Sequence, residues 1–160
     1  MNELSFSEIA QVSHIECEEY FPLRVVFDSS IGENRFVGFY CGEDSLLEFT
    51  VSRETNAVKK LQIVTCRDYK INDTNLVLPQ HHKSGCIHLA NSQHNDCDLF
   101  SMSIYADGIV INISQKDISK YYAMGQVLFG VGEDNELISL VITNLSVDER
   151  SHAIVELQAE

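Results

Sequence analysis

"SLLEFTVSRETNAVKKLQIV", Ser45–Val64, consists of two alternating runs around a polar tip, Arg53-Glu54-Thr55-Asn56. In an extended chain successive side chains point to opposite faces. Leu47, Phe49 and Val51 then share one face of the first run, and Leu61, Ile63 and Thr65 one face of the second. Glu48, Thr50, Lys60 and Gln62 point the other way. The stretch reads as a β-hairpin with one buried face and one wet or partly covered face.

The same period continues on both sides. Leu23–Asp28 and Arg35–Cys41 read as strands separated by the turn-rich Ser29–Asn34. "LFSMSIYADGIVINIS" (Leu99–Ser114) places Asp107-Gly108 between alternating runs, a dipeptide that favours a tight primed turn. "QVLFGVGEDNELISLVIT" (Gln126–Thr143) is a third hairpin with its polar tip at Gly132–Glu136, and Ala153–Gln158 is expected as the last strand after a loop at 144–152. Helix is expected in two places at most. Ser5–Glu19 carries a partial apolar stripe and a capping-box pattern, and Gln115–Gly125 fits a helical turn closed by Gly125. With consecutive hairpins implying antiparallel pairing, the fold class is mainly β, a β-rich α+β chain. Its expected form is an antiparallel β-sandwich or a strongly bent sheet or open barrel with one or two short helices. The length of 160 residues fits one domain, 1–160, and such a chain buries roughly 70% of its unfolded surface without staples. Residues 72–98, rich in Asn, Asp, Ser, Gly and His, read as a long loop holding the short strand "CIHLA". Long loops often carry function.

Charge narrows the partners. Twenty-four Asp and Glu against eleven Lys and Arg leave a formal net charge of −13. Such a surface repels phosphate backbones and anionic lipid, so neither direct nucleic-acid binding nor membrane binding is expected. A basic protein partner would be attracted. The carboxylates placed on expected tips and loops are Glu43, Asp44, Asp96, Asp98, Glu133, Asp134 and Glu136, and on charge alone these are the partner-binding candidates. Five cysteines with no Cys-x-x-Cys pair, and an N-terminal stretch without the basic start and apolar run of a secretory signal, lead to the expectation of a cytoplasmic chain with reduced thiols. The Asn-x-Ser/Thr matches at Asn72, Asn112 and Asn144 carry no weight in that setting.

Chemistry-bearing motifs are sparse. There is no G-x-S-x-G elbow, no phosphate-binding glycine loop and no His-Glu-x-x-His, and no cofactor is expected. The weaker alternative is a small hydrolase or metal-binding protein built on His81, His82, Cys86 and His88, whose donor types suit zinc but whose spacing matches no established pattern. A ligand-binding β-domain is the other alternative.

The opening hairpin also resembles small bacterial toxin-immunity proteins, including those of contact-dependent growth inhibition and related polymorphic toxin systems. Leu47, Glu48, Phe49 and Val51 fill the first strand of the pattern, Glu54, Thr55 and Val58 the tip, and Leu61, Ile63 and Val64 the return. Family members often have glycine after the threonine, where this chain has Asn56, which tolerates the same left-handed backbone. The resemblance covers about 20 residues of the chain. It implies a small, cytosolic, non-enzymatic protein that neutralises a cognate toxin domain. Many such toxins are basic nucleases, to which this charge is complementary. It carries over no binding residues.

Overall fold

A computed structural model describes residues 4–159. In chain order the strands are β1 (Leu4–Ser7), β2 (His14–Glu16), β3 (Leu23–Val26), β4 (Asn34–Cys41), β5 (Ser45–Ser52), β6 (Val58–Thr65), β7 (Tyr69–Ile71) and β8 (Lys83–Ser84). They continue with β9 (Cys86–Leu89), β10 (His94–Asp96), β11 (Ser101–Ile104), β12 (Ile109–Asn112), β13 (Lys120–Met124), β14 (Val127–Val131) and β15 (Leu137–Ile142). Helix α1 (Val147–Gln158) follows.

Two sheets carry the architecture. One has the order β10-β4-β5-β6-β3-β2, the other β7-β11-β12-β15-β14-β13-β8, and neither closes into a barrel. Their inner faces meet in one apolar cluster. Leu47, Phe49 and Val51 of β5 and Leu61 and Ile63 of β6 are buried there, opposite Ile109, Ile111, Phe129 and Leu140 of the other sheet. Phe49 and Phe129, from opposite sheets, hold their ring centroids 6.1 Å apart. Burying each such ring stabilises the fold by roughly 1.5–3 kcal/mol. The hairpin reading of Ser45–Val64 is correct, and Asn56 takes φ 63°, the left-handed turn position.

The open sides of this sandwich are closed by other elements. Helix α1 buries Ala153 and Leu157. Its His152 Nε2 lies 2.9 Å from Glu18 O and 3.0 Å from Phe21 O, while Arg150 donates to Tyr105 O and Asn72 O, so the helix ties both sheets. On another side β1 pairs antiparallel with β9. That ribbon touches both sheets through the Ala57–His88 bridge, the Gly85 N–H donated to Ala123 O, and Phe6 stacked on Tyr122 at 4.1 Å.

Several expectations are overturned. The helix expected at Ser5–Glu19 is absent from the described residues: β1 and β2 occupy that stretch. Leu4 and Phe6 pair opposite Leu89 and Ile87, so distant partners outweigh a weak local helical stripe. The strand expected at Ala153–Gln158 is the second half of α1, and of the loop expected at 144–152 only 144–146 is loop, 147–152 being the first half of the helix. Ser146 caps this helix, its hydroxyl accepting from Glu149 N while Glu149 Oε1 accepts from Ser146 N. The turn expected to be helical at Gln115–Gly125 contains β13. Gly125, at φ 57°, makes the tight reversal into β14 instead of closing a helix.

Asp107-Gly108 does not form a primed turn, since neither residue has positive φ. Tyr105 donates to Gly108 O across Ala106-Asp107. Glycine is needed at 108 for space: a Cβ there would stand 2.6 Å from Ile142 O and 2.6 Å from Leu76 Cδ2. Pairing is not wholly antiparallel either. β10–β4, β11–β7 and β13–β8 are parallel, all at sheet edges, because crossovers rather than hairpins deliver those short strands.

The expected loop 72–98 is more structured than its composition suggests. It contains β8, β9 and β10. Its first part, 72–82, is a strap from β7 at one edge of the seven-stranded sheet to β8 at the other. Six strand spacings make roughly 29 Å, within the roughly 36–40 Å that eleven extended residues reach, so the strap crosses the sheet with some slack. Beneath the strap lies an outer-face row, Val110, Val141, Leu128 and Ala123, in register across four strands. Leu76 packs on it.

Candidate functional site

The turns at one end of the sandwich bring together carboxylates that are far apart in sequence. β4 and β5 are joined by Gly42–Asp44, and β10 runs parallel to β4 with Asp96 opposite Tyr40. Cys97 N donates to Tyr40 O, so Cys97 and Asp98 continue beside Cys41 and Gly42. From the other sheet come the segment after β12 and the turn between β14 and β15. The two sheets meet there in a hollow lined by Phe39, Asp96, Cys97 and Asp98 on one side and Ser114, Lys116 and Glu136 on the other. A neighbouring hollow adds Asp117, Glu133 and Asp134. Five of the seven carboxylates singled out in the sequence, Asp96, Asp98, Glu133, Asp134 and Glu136, line these two adjoining hollows; Glu43 and Asp44 sit on the β4–β5 turn at this end, where Asp44 lines a separate hollow with Thr65, Arg67 and Gln158.

That end is rigidly built. Gly132 N donates to Glu136 O at 3.0 Å, and Asn135 takes φ 54° to reverse the chain, leaving Glu133 and Asp134 exposed at the tip. Lys116 Nζ donates to both Glu136 oxygens, at 2.9 and 3.0 Å. The Glu136 hydrogen bond, with Glu136, Asp134 and Asp98 charge beside it, raises the Lys116 pKa. His94 Nε2 stands 2.8 Å from Asp96 Oδ1 and its ring stacks on Tyr40 at 4.2 Å. Asp44 meets Arg67 at 3.1 Å. Among the described residues Glu43, Asp98, Glu133 and Asp134 form no ion pair. Beneath them the Cys97 thiol is pushed up to about 12, by burial first and then by Cys41, Asp98 and Asp96. Sequence reading missed Asp117 and Lys116, because that segment was read as a helical turn rather than as a loop at a sheet end.

The His/Cys set is spread out. His81 and His82 are exposed on the strap, whereas Cys86 is buried and its thiol is raised by burial and then by Asp28. His88 Nδ1 lies 3.0 Å from Thr55 O, which can only accept, so Nδ1 carries a proton. Its Nε2 is 3.2 Å from Ser7 Oγ, and the ring ties β9 to β1 and to the hairpin tip. Among the described residues no three His, Cys, Asp or Glu side chains converge as a metal site would require. Cys17, Cys41, Cys86 and Cys97 are free thiols, and among the described residues no helix is long and apolar enough to cross a membrane. Cys66 is buried and Cys41 packs half-buried against the core, as small apolar residues.

No protein-family model matches this chain, and no curated protein matches it.

Proposed function

We propose that this chain is a non-enzymatic inhibitor of the immunity type, which captures and neutralises a basic, nuclease-like toxin domain through the acidic end of its sandwich. The observation that carries the reading is the convergence of Asp96, Asp98, Glu133, Asp134 and Glu136, from opposite sheets, on two adjoining hollows, with Glu43 and Asp44 on the β4–β5 turn at the same end. Most of these carboxylates lack a cationic partner of their own, so a partner's lysines and arginines would meet little competition. Carboxylate–guanidinium contacts are strong and directional, and a single-sign face speeds encounter. The −13 charge and the hairpin resemblance point the same way.

The test is titration calorimetry with the toxin-like domain encoded beside this gene. A 1:1 complex is expected, and Asp96→Lys, Asp98→Lys and Glu133→Lys together should weaken it at least about a hundredfold, with the association rate falling steeply in salt. A complex indifferent to those three changes, or no complex at all with the neighbouring gene's product, refutes the reading.

A further inference from the structure

A second surface has the opposite charge. Between the end of the strap and the start of β13 lies an open groove of about 640 Å³. His81, His82 and Lys83 form one wall; Lys120, Tyr121 and Tyr122 form the other. Gln80 and Ser119 add neutral polar groups, and no carboxylate lines it. In a chain with more than twice as many acids as lysines and arginines, that composition stands apart. Asp117, the nearest acid in sequence, lines the neighbouring acidic hollow instead.

Two features connect the groove to movement of the strap. Its first half is fastened: Asn72 N donates to Ile104 O, Ala106 N to Thr74 O, and Leu76 N to Asp107 Oδ1. Residues 77–82 make no hydrogen bond to any described residue, and Val77 is 89% exposed. The ladder resumes only where Lys83 and Ser84 pair with Tyr122 and Ala123. The unfastened half therefore carries two histidines toward a wall that holds Lys120, whose ammonium sits 5.5 Å from the Tyr122 ring centroid. Lys83 and Lys120 stand on opposite walls of the groove. An anion in the groove would bond to both walls, and drawing the strap inward would break no hydrogen bond.

We propose that this groove binds a small ligand through a phosphate-class polyanionic group, held by Lys83 and Lys120 with His81 and His82, and that strap residues 77–82 close over it. Lysine ammonium groups serve as point-charge partners for phosphate, and the imidazole and hydroxyl groups supply further donors. The groove borders the acidic end, sharing Ile118 and Ser119 with the neighbouring hollow, but it rests on different charged residues, so the two proposals are tested independently.

The probe is inorganic pyrophosphate, titrated into the full chain at physiological salt. Saturable 1:1 binding is expected, weakened at least about tenfold by Lys83→Gln combined with Lys120→Gln. Lys116→Gln, at the acidic end, should leave it unchanged. Both groove lysines are exposed, so the double variant should fold, and circular dichroism checks this. Hydrogen exchange at 77–82 should slow on binding, a change that loose ion association would not produce. A nucleoside triphosphate binding more tightly than pyrophosphate would assign the phosphate to a nucleotide; equal binding would assign it to free phosphate chemistry. Pyrophosphate indistinguishable from chloride, citrate binding equally well, or a double variant that binds like the parent chain overturns the proposal.

Discussion

The two ends of the sandwich use charge in opposite ways. At the end holding the β5–β6 tip, cations are spent on the chain's own backbone. Arg35 donates to Leu89 O, Asn91 O and Asn56 Oδ1, fastening the segment after β9 to the hairpin. Lys59, only 5% exposed, donates to Ser30 O and Asn34 Oδ1 and so holds the loop between β3 and β4. At the other end carboxylates point outward from turns, and most lack a cation. Burial makes the difference. A desolvated charge must find partners within the fold, whereas an exposed one is left free for an outside partner.

The sharpest measure of that contrast lies under the acidic end. With its pKa near 12, the Cys97 thiol should carry about a thousandfold less thiolate at pH 8 than an ordinary cysteine, and alkylate correspondingly slowly. Time-resolved alkylation read by mass spectrometry checks this. Because burial is the leading cause, Asp98→Asn should leave Cys97 slow; fast labelling in that variant would mean that the acidic field dominates.

Next in size is the cationic end. Arg35→Ala leaves two backbone carbonyls and an amide oxygen without their donor, and should cost about 3 kcal/mol in urea unfolding, or roughly 10 °C in Tm. A loss too small to resolve would erase the distinction between the two ends.

A smaller effect is expected on the outer sheet face, at Glu48. Desolvation raises its pKa, so the folded state holds the proton more tightly than the unfolded chain does. Its ionised form is therefore destabilising at neutral pH, and that cost disappears as pH falls below the unfolded value. Glu48→Gln should raise Tm by about 1 °C at pH 7, with the gain gone by pH 4. The smallest effect belongs to Lys116→Ala. Its bond to Glu136 is exposed, and thermal melts of variant and parent should coincide.

Legibility in the sequence followed the reach of the interactions. The β5–β6 and β14–β15 hairpins announce themselves, since alternation and turn residues lie within a few positions of one another. The capping box Ser146-x-x-Glu149 was equally local, yet Ala153, Val155 and Leu157 also alternate as a strand would, and that pattern masked the helix. β1 could not be read at all, because Leu4 and Phe6 become strand residues only through Ile87 and Leu89. The seven carboxylates were legible as residues on tips; their meeting at one end was not.

The sequence by itself determined the chain's β character, its core-facing residues in the central hairpins, and its acidity, all consequences of local period and composition. Tertiary structure alone decided which turns share an end, which cations are buried, and that the stretch resembling a loop is a strap across a sheet, with a basic groove beside it. Those outcomes depend on strand order and crossovers between residues many tens of positions apart, and no local pattern encodes them.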